Sequence, residues 1–274
     1  MESIISDSFS TTTLLGSATV ISKLLPIEYD QQKEFTLNTY LNIYPNEDMP
    51  AEPKIKYFGV GLGGAYNVDD GFLSAAYKPD RRNMNLYNLI PIRCRPVDED
   101  LSDVERANYR LRQRATIGGK DYFLYYLKVL KFEGGIDFKR YAVSGKEEPY
   151  ELDASNLTPK PSKPKDSDLI QSASSSIVAF CNATLDLRAG EVLEYIRVKY
   201  NGDTRYAKIS ELGLFTGSDK QVTGTTGQNV PVTYTESIGT LMFNHTTWLG
   251  TTLSSEGMTM SSNFIITSTG VTIK

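Results

Sequence analysis

His245 is the sole histidine of the sequence, and histidine is the usual general base near neutral pH and the commonest metal ligand. A Ser-His-Asp arrangement would have no other imidazole to use. The residue sits in "MFNHTTWLG", where apolar and polar positions alternate as in a strand. That context predicts an exposed or core-edge histidine, not a catalytic one. Cys94 and Cys181 are the only thiols. With one histidine they fall short of a structural zinc site, and both are read as buried thiols in a chain without a disulfide framework. The acids of "PVDEDLSD" (96–103) offer carboxylates, and a glycosidase needs two of them held ~5–9.5 Å apart. Their place at a predicted helix start accounts for them as capping groups. Trp248, beside His245, is the stacking candidate if the chain binds sugars; otherwise it is core.

Gly59, Gly61 and Gly64 in "IKYFGVGLGGAYN" follow the dinucleotide spacing G-x-G-x-x-G. That chemistry requires the third glycine to open a helix whose N-terminus holds the pyrophosphate. "AYNVDDGF" follows instead, rich in turn formers and without helical period. The glycines are better explained by a bulged strand or loop approached closely by another backbone. No cofactor and no metal is expected.

The elements that must position these residues are mostly strands. "DLSDVERANYRLRQRA" (100–115) reads as the one amphipathic helix. Ser102 and Glu105 form a capping box, and Val104, Ala107, Leu111 and Ala115 make a narrow apolar face. Arg106, Arg110 and Arg114 recur on another face. They are read either as dipole compensation on a solvated helix or as an interface with a neighbouring subunit. "DYFLYYLKVLKF" (121–132) is apolar on both sides except for Lys128, so it reads as a central or doubly covered strand. In "IVAFCNATLDL" (177–187), Ile177, Ala179, Cys181, Ala183, Leu185 and Leu187 share one face. "VLEYIRVKY" runs into Asn201-Gly202, a strong hairpin signal. "ISELGLFTGSDKQVTG" (209–224) reads as a strand, a tight turn, then a second strand or loop.

These elements predict a mainly β protein, with an α+β N-terminal part carrying one amphipathic helix and a C-terminal antiparallel β-sandwich. "LTPKPSKPKDSD" (157–168) holds three prolines and no apolar residue after Leu157, the composition of a linker. The predicted division is an N-terminal arm at 1–55, an α+β domain at 56–158, a linker at 159–168 and the sandwich at 169–274. The arm either orders against a partner or forms an edge strand or short helix.

Composition narrows the function classes. Apolar residues make up 40% and charged residues 23% of 274, ordinary globular values. A net charge of −4 gives no electrostatic case for nucleic acid or an anionic membrane. No apolar run approaches a membrane span, and the acidic start "MESIISDSFS" lacks the basic region of a signal peptide. Seventeen tyrosines suit contact surfaces, since tyrosine offers area, a polar end and little rotamer entropy.

"ISELGLFTGSDKQVTG" resembles a recurring element of tailed-bacteriophage tail and baseplate proteins, an Ile-x-Glu-(hydrophobic)-Gly-Leu-(aromatic) strand followed by a turn. "YFGVGLGGAYN", "RNMNLYNLIPIRCRPVDEDLSDVERANYRLR" and "YFLYYLKVL" are similar to a family of uncharacterised virion structural proteins from large tailed phages. The resemblance covers roughly residues 50–260. It implies a non-enzymatic, multi-copy particle component assembled in the host cytoplasm, a tail baseplate subunit contacting other virion proteins and copies of itself. The alternatives are a neck, collar or fibre-connector protein, or a carbohydrate- or receptor-binding sandwich module. It carries no catalytic residue over, and no small-molecule substrate is expected.

Overall fold

A computed structural model describes residues 9–24, 33–49, 53–67, 74–141, 146–151, 176–252 and 258–266. The chain is mainly β, with a large antiparallel sheet, and divides into two compact units. The first comprises 1–130 with 187–259, and the second 131–186 with 260–274.

The first unit begins with β1 (Phe9–Thr12) and helix α1 (Leu14–Leu24). Thr13 starts the helix: its hydroxyl accepts from Gly16 N and donates to the Met242 carbonyl. α2 (Leu37–Tyr40) is capped by Thr36, and buried Asn38 bonds Ile43 O, Ser237 O and Thr240 N. Next come β2 (Lys54–Gly61), the pair β3 (Ala65–Asn67) and β4 (Ser74–Ala76), then β5 (Leu89–Ile90) and β6 (Arg93–Pro96). A single-turn helix α3 (Asp103–Arg106) leads to β7 (Tyr109–Ile117) and β8 (Lys120–Val129). In the second unit, β9 (Lys131–Tyr141), β10 (Glu147–Pro149), β11 (Ser176–Leu187) and β14 (Met258–Ile266) form a four-stranded sheet in the order β10-β9-β11-β14. Helix α4 (Ala189–Lys199) and the long strands β12 (Lys208–Thr225) and β13 (Pro231–Thr252) return to the first unit.

Its eight-stranded sheet runs β1-β13-β12-β2-β8-β6, with β5 on β2 and β7 on β8. β8 is central and buried on both faces, as its two apolar sides predict. Leu37, Tyr57, Leu86, Leu111, Leu127, Phe215 and Met242 pack in the core. Among the described residues, no helix is long and apolar enough to cross a membrane, and no group of acids, cysteines and histidine is arranged for a metal.

Several expectations are corrected. The described part of the N-terminal segment takes the second of its two readings, an edge strand and a helix: β1 pairs with β13, with Thr11 opposite His245. The linker at 159–168 lies outside the described residues. The compact units nevertheless divide elsewhere, because β12 pairs with both β13 and β2. The C-terminal strands therefore share a sheet with strands from the first half of the chain and form no self-contained sandwich.

The capping box at Ser102 and Glu105 is present, but the helix ends at Arg106. The chain then turns into a strand, because Tyr109–Ile117 finds its partner in aromatic-rich β8. Val104, assigned to the apolar face, is 83% exposed. "VLEYIRVKY" is helical, with Val192, Leu193 and Ile196 buried at helical spacing. Asn201 (φ 50°) and Gly202 (φ 89°) end that helix and do not turn a hairpin. "ISELGLFTGSDKQVTG" is one continuous strand, and Asn229 sits in the turn that follows it.

Candidate functional site

The three arginines share no helical face. Arg106 follows the capping box and bonds Asp103, Asp100 and the Leu101 carbonyl. Arg110 donates to Asp219 at 2.8 Å and to two backbone carbonyls, beneath the Tyr57 ring. Arg114 lies further along β7, where it pairs with Asp121 of β8. Two of the three are buried inside the chain, so they form no exposed helical stripe. Arg112, not singled out in the sequence, lies against Phe123 at 3.5 Å and bonds Asp100 at 3.0 Å.

His245 is fully buried (0% exposed) and paired with equally buried Glu211 of β12. Its Nε2 donates to Glu211 Oε2 at 3.0 Å, and its Nδ1 accepts from Asn83 Nδ2 at 3.2 Å. A base held by an acid is two-thirds of a nucleophilic triad. The position a serine or cysteine would fill, however, belongs to the Asn83 amide. The remaining capacity of Glu211 goes to backbone: Gly63 N at 2.5 Å, Tyr87 N at 2.7 Å and Asn88 N at 3.0 Å. This carboxylate is a receptor that ties two loops to β12.

The glycine run belongs to the same construction. Gly64 N donates to Ser210 Oγ, and a Cβ on Gly64 would collide with the Ser210 carbonyl. A Cβ on Gly61 would lie 2.7 Å from the Asn88 carbonyl. The close backbone approach read from the sequence is thus present. Gly64 opens into β3, and the Gly63 and Gly64 N–H groups are already bound, leaving neither to cradle a phosphate.

Leu62, Ala65 and Ser210, the chain neighbours of the glycines and Glu211, border an open cleft of about 370 Å³, within the range of small-molecule sites, ~300–1,000 Å³. Tyr66, Asn88, Tyr200, Tyr206, Lys208 and Ser210 line it. Tyr200 and Tyr206, on either side of the Asn201-Gly202 turn, stack with centroids 4.3 Å apart. Tyr66 continues into a row of exposed rings, 4.6 Å from Tyr77, which is 5.6 Å from Tyr87. Tyr87 in turn packs on His245 at 5.0 Å.

Residues 1–267 match a protein family described as a family of unknown function, DUF7208. The chain belongs to this family. No curated protein and no solved structure matches it.

Other buried acids in this family member also hold structure. Glu236 accepts from the backbone N–H of Leu111, Arg112 and Ser237. Burial raises its pKa above the ordinary value, while those three donors oppose the rise. Glu191 accepts from Lys128 at 2.9 Å and Tyr109 at 2.6 Å. Burial is the largest cause pushing the Tyr109 hydroxyl up, and the neighbouring Glu191 adds to it. Cys94 is a buried thiol raised to about 12, first by burial and then by Glu194; Cys181 is half-buried. Trp248 is core, its indole N–H bonded to Thr251 Oγ1, and cannot serve as a stacking platform.

The sequence reading missed Glu211 and Glu236. Glu211 carried one signal, an acid within an apolar stretch, whereas Glu236, between Thr235 and Ser237, carried none. A carboxylate among Ile209, Leu212 and Leu214 must find several donors or stay out of the core.

Proposed function

We propose that this protein is a non-enzymatic structural component of a tailed-phage virion, a tail baseplate subunit that contacts copies of itself and other virion proteins. The resemblance of its motifs to phage tail proteins supports the particle assignment. One structural observation carries the non-enzymatic part: the His245–Glu211 pair is sealed from solvent and ends on the Asn83 amide. The most chemically capable side chain in the sequence therefore braces the carboxylate that holds backbone loops. The neighbouring row of exposed tyrosines, Tyr66, Tyr77 and Tyr87, suits a contact surface, where aromatic area with a polar end is favoured.

Purified particles of the phage that encodes the chain test the reading. The protein should co-purify with them in stoichiometric, multi-copy amounts and be labelled by antibody at the tail end. Its absence from particles would overturn the assignment. Label at the head–tail junction would replace baseplate by neck.

A further inference from the structure

The cleft over Ser210 is built unlike a plain contact surface. Its two aromatic sides come from separate segments: Tyr66 on β3, 42% exposed, and the Tyr200–Tyr206 stack after α4, with Tyr206 54% exposed. Between them lie short polar side chains. Asn67 accepts from Ser74 Oγ at 3.2 Å, which leaves its amide N–H₂ for a ligand. The Asn88 side chain adds an amide that both donates and accepts. Flat aromatic plates beside paired donors and acceptors match a pyranose ring, which offers an apolar C–H face and equatorial hydroxyls.

Charge narrows the ligand. Arg205 is held by Asp203 through paired hydrogen bonds at 2.7 and 3.0 Å. Lys208 has no ion-pair partner among the described residues, and its stem lies along the Gly250 backbone, where a Cβ would meet it at 2.8 Å. The cleft thus presents one uncompensated cation. A nucleotide fits poorly, since the Gly63 and Gly64 N–H groups that would bind its phosphate are committed to Glu211 and Ser210.

We propose that the cleft between Tyr66 and Tyr206 binds an acidic saccharide, with the sugar face against tyrosine and its carboxylate against Lys208. The proposal does not depend on the chain being a particle component.

Calorimetric titration of the full chain tests it with three matched pairs: oligogalacturonate and its methyl ester, sialyllactose and lactose, hyaluronan hexasaccharide and chitohexaose. Adenosine monophosphate serves as a further probe. At least one acidic member should bind saturably, tenfold or more tighter than its neutral counterpart. Tyr206→Ala and Tyr66→Ala should each weaken it at least tenfold. Lys208→Gln should reduce the acidic ligand to the affinity of its neutral partner. Tyr40→Ala, an exposed tyrosine outside the cleft, should bind as the parent does. All four sites are exposed, so unchanged melting confirms that the variants fold. No saturable binding of any saccharide overturns the proposal, as does binding by adenosine monophosphate alone or binding that survives both tyrosine substitutions. Equal affinity within each pair overturns its acidic half.

Discussion

Single side chains here act mainly by reaching across the sequence to bind backbone or opposite charge. Removing one partner of a buried ion pair strands the other, at a cost of ~3–5 kcal/mol in the fully buried case. Arg110 and Arg114 give an internal contrast, because their side chains are 7% and 45% exposed. Arg110→Gln should cost about 2 kcal/mol, since it leaves Asp219 and two carbonyls short of a donor. Arg114→Gln should cost about 0.5 kcal/mol or less, as for an exposed pair. Urea unfolding of the two variants measures both. The Arg110 effect should also depend on pH. Burial opposes charging of Asp219, but Arg110, helped by hydrogen bonds from Lys56 and Tyr57, holds its carboxyl below the ordinary 3.8. The folded chain then binds that proton less well than the unfolded chain. The stabilisation is complete above 3.8 and is lost as pH falls through the folded value. The stability gap between parent and Arg110→Gln should therefore narrow as pH is lowered from neutrality toward 2, and a constant gap would refute the pairing.

At the scale of elements, β7 shows what a pattern can and cannot announce. Leu111 is fully buried with φ 55°, a conformation that costs an L-residue roughly 1–2 kcal/mol. The pairing with β8 is interrupted at Leu111 and Tyr126 without a shift of register, and the N–H groups of Leu111 and Arg112 point to Glu236. Glu236→Ala would leave the N–H groups of Leu111, Arg112 and Ser237 unpaired in the core, at ~1–3 kcal/mol for each group. We expect a loss of at least about 3 kcal/mol by denaturant titration, together with faster hydrogen exchange at Leu111 and Arg112. Exchange unchanged at those two amides would show that the positive φ at Leu111 is held by packing alone. Nothing local in "RLRQRA" announces the left-handed backbone at Leu111, because the group that receives its N–H is an acid more than a hundred residues away. The strong local signals held: the Ser102 capping box, the two-faced apolar strand, which ends at Val129 of the expected 121–132 and leaves Phe132 exposed, and the alternation of Ala183, Leu185 and Leu187. Signals that needed a partner failed. "VLEYIRVKY" is short enough to fit either period, and docking of Glu194 on Arg93 places it as a helix. The glycine run marked only the close backbone packing beside the cleft; the cleft itself was not legible, since it joins residues 62–88 to residues 200–210.

The whole molecule is threaded so that sequence neighbours are not always structural neighbours. The first unit takes its sheet from both sides of residues 131–186, so a cut within 159–168 would not release two folded halves. The register of the second unit suggests a cleaner dissection. Lys131 of β9 lies directly opposite Thr184 of β11, and antiparallel residues so paired have Cα atoms roughly 4.5–5.5 Å apart. A two- to four-residue glycine-rich turn can bridge that gap. Replacing residues 132–183 by such a turn, and ending the chain after Thr259, should therefore close the first unit without stretching it. The Leu37–Phe215–Met242 core, the Glu211–His245 pair and the cleft all lie in what remains. The shortened chain should be monodisperse and unfold in one cooperative transition, and its histidine NMR signal should match that of the full protein, since His245 is the sole reporter of its buried site. A second shortened chain, residues 169–274 alone, keeps β12 and β13 but lacks β2, the strand that covers the Glu211 edge of β12. Left with a long apolar strand edge, that fragment should aggregate or remain unfolded. Cooperative folding of the 169–274 fragment, with failure of the excised chain, would reverse the assignment and restore the C-terminal half as an independent domain.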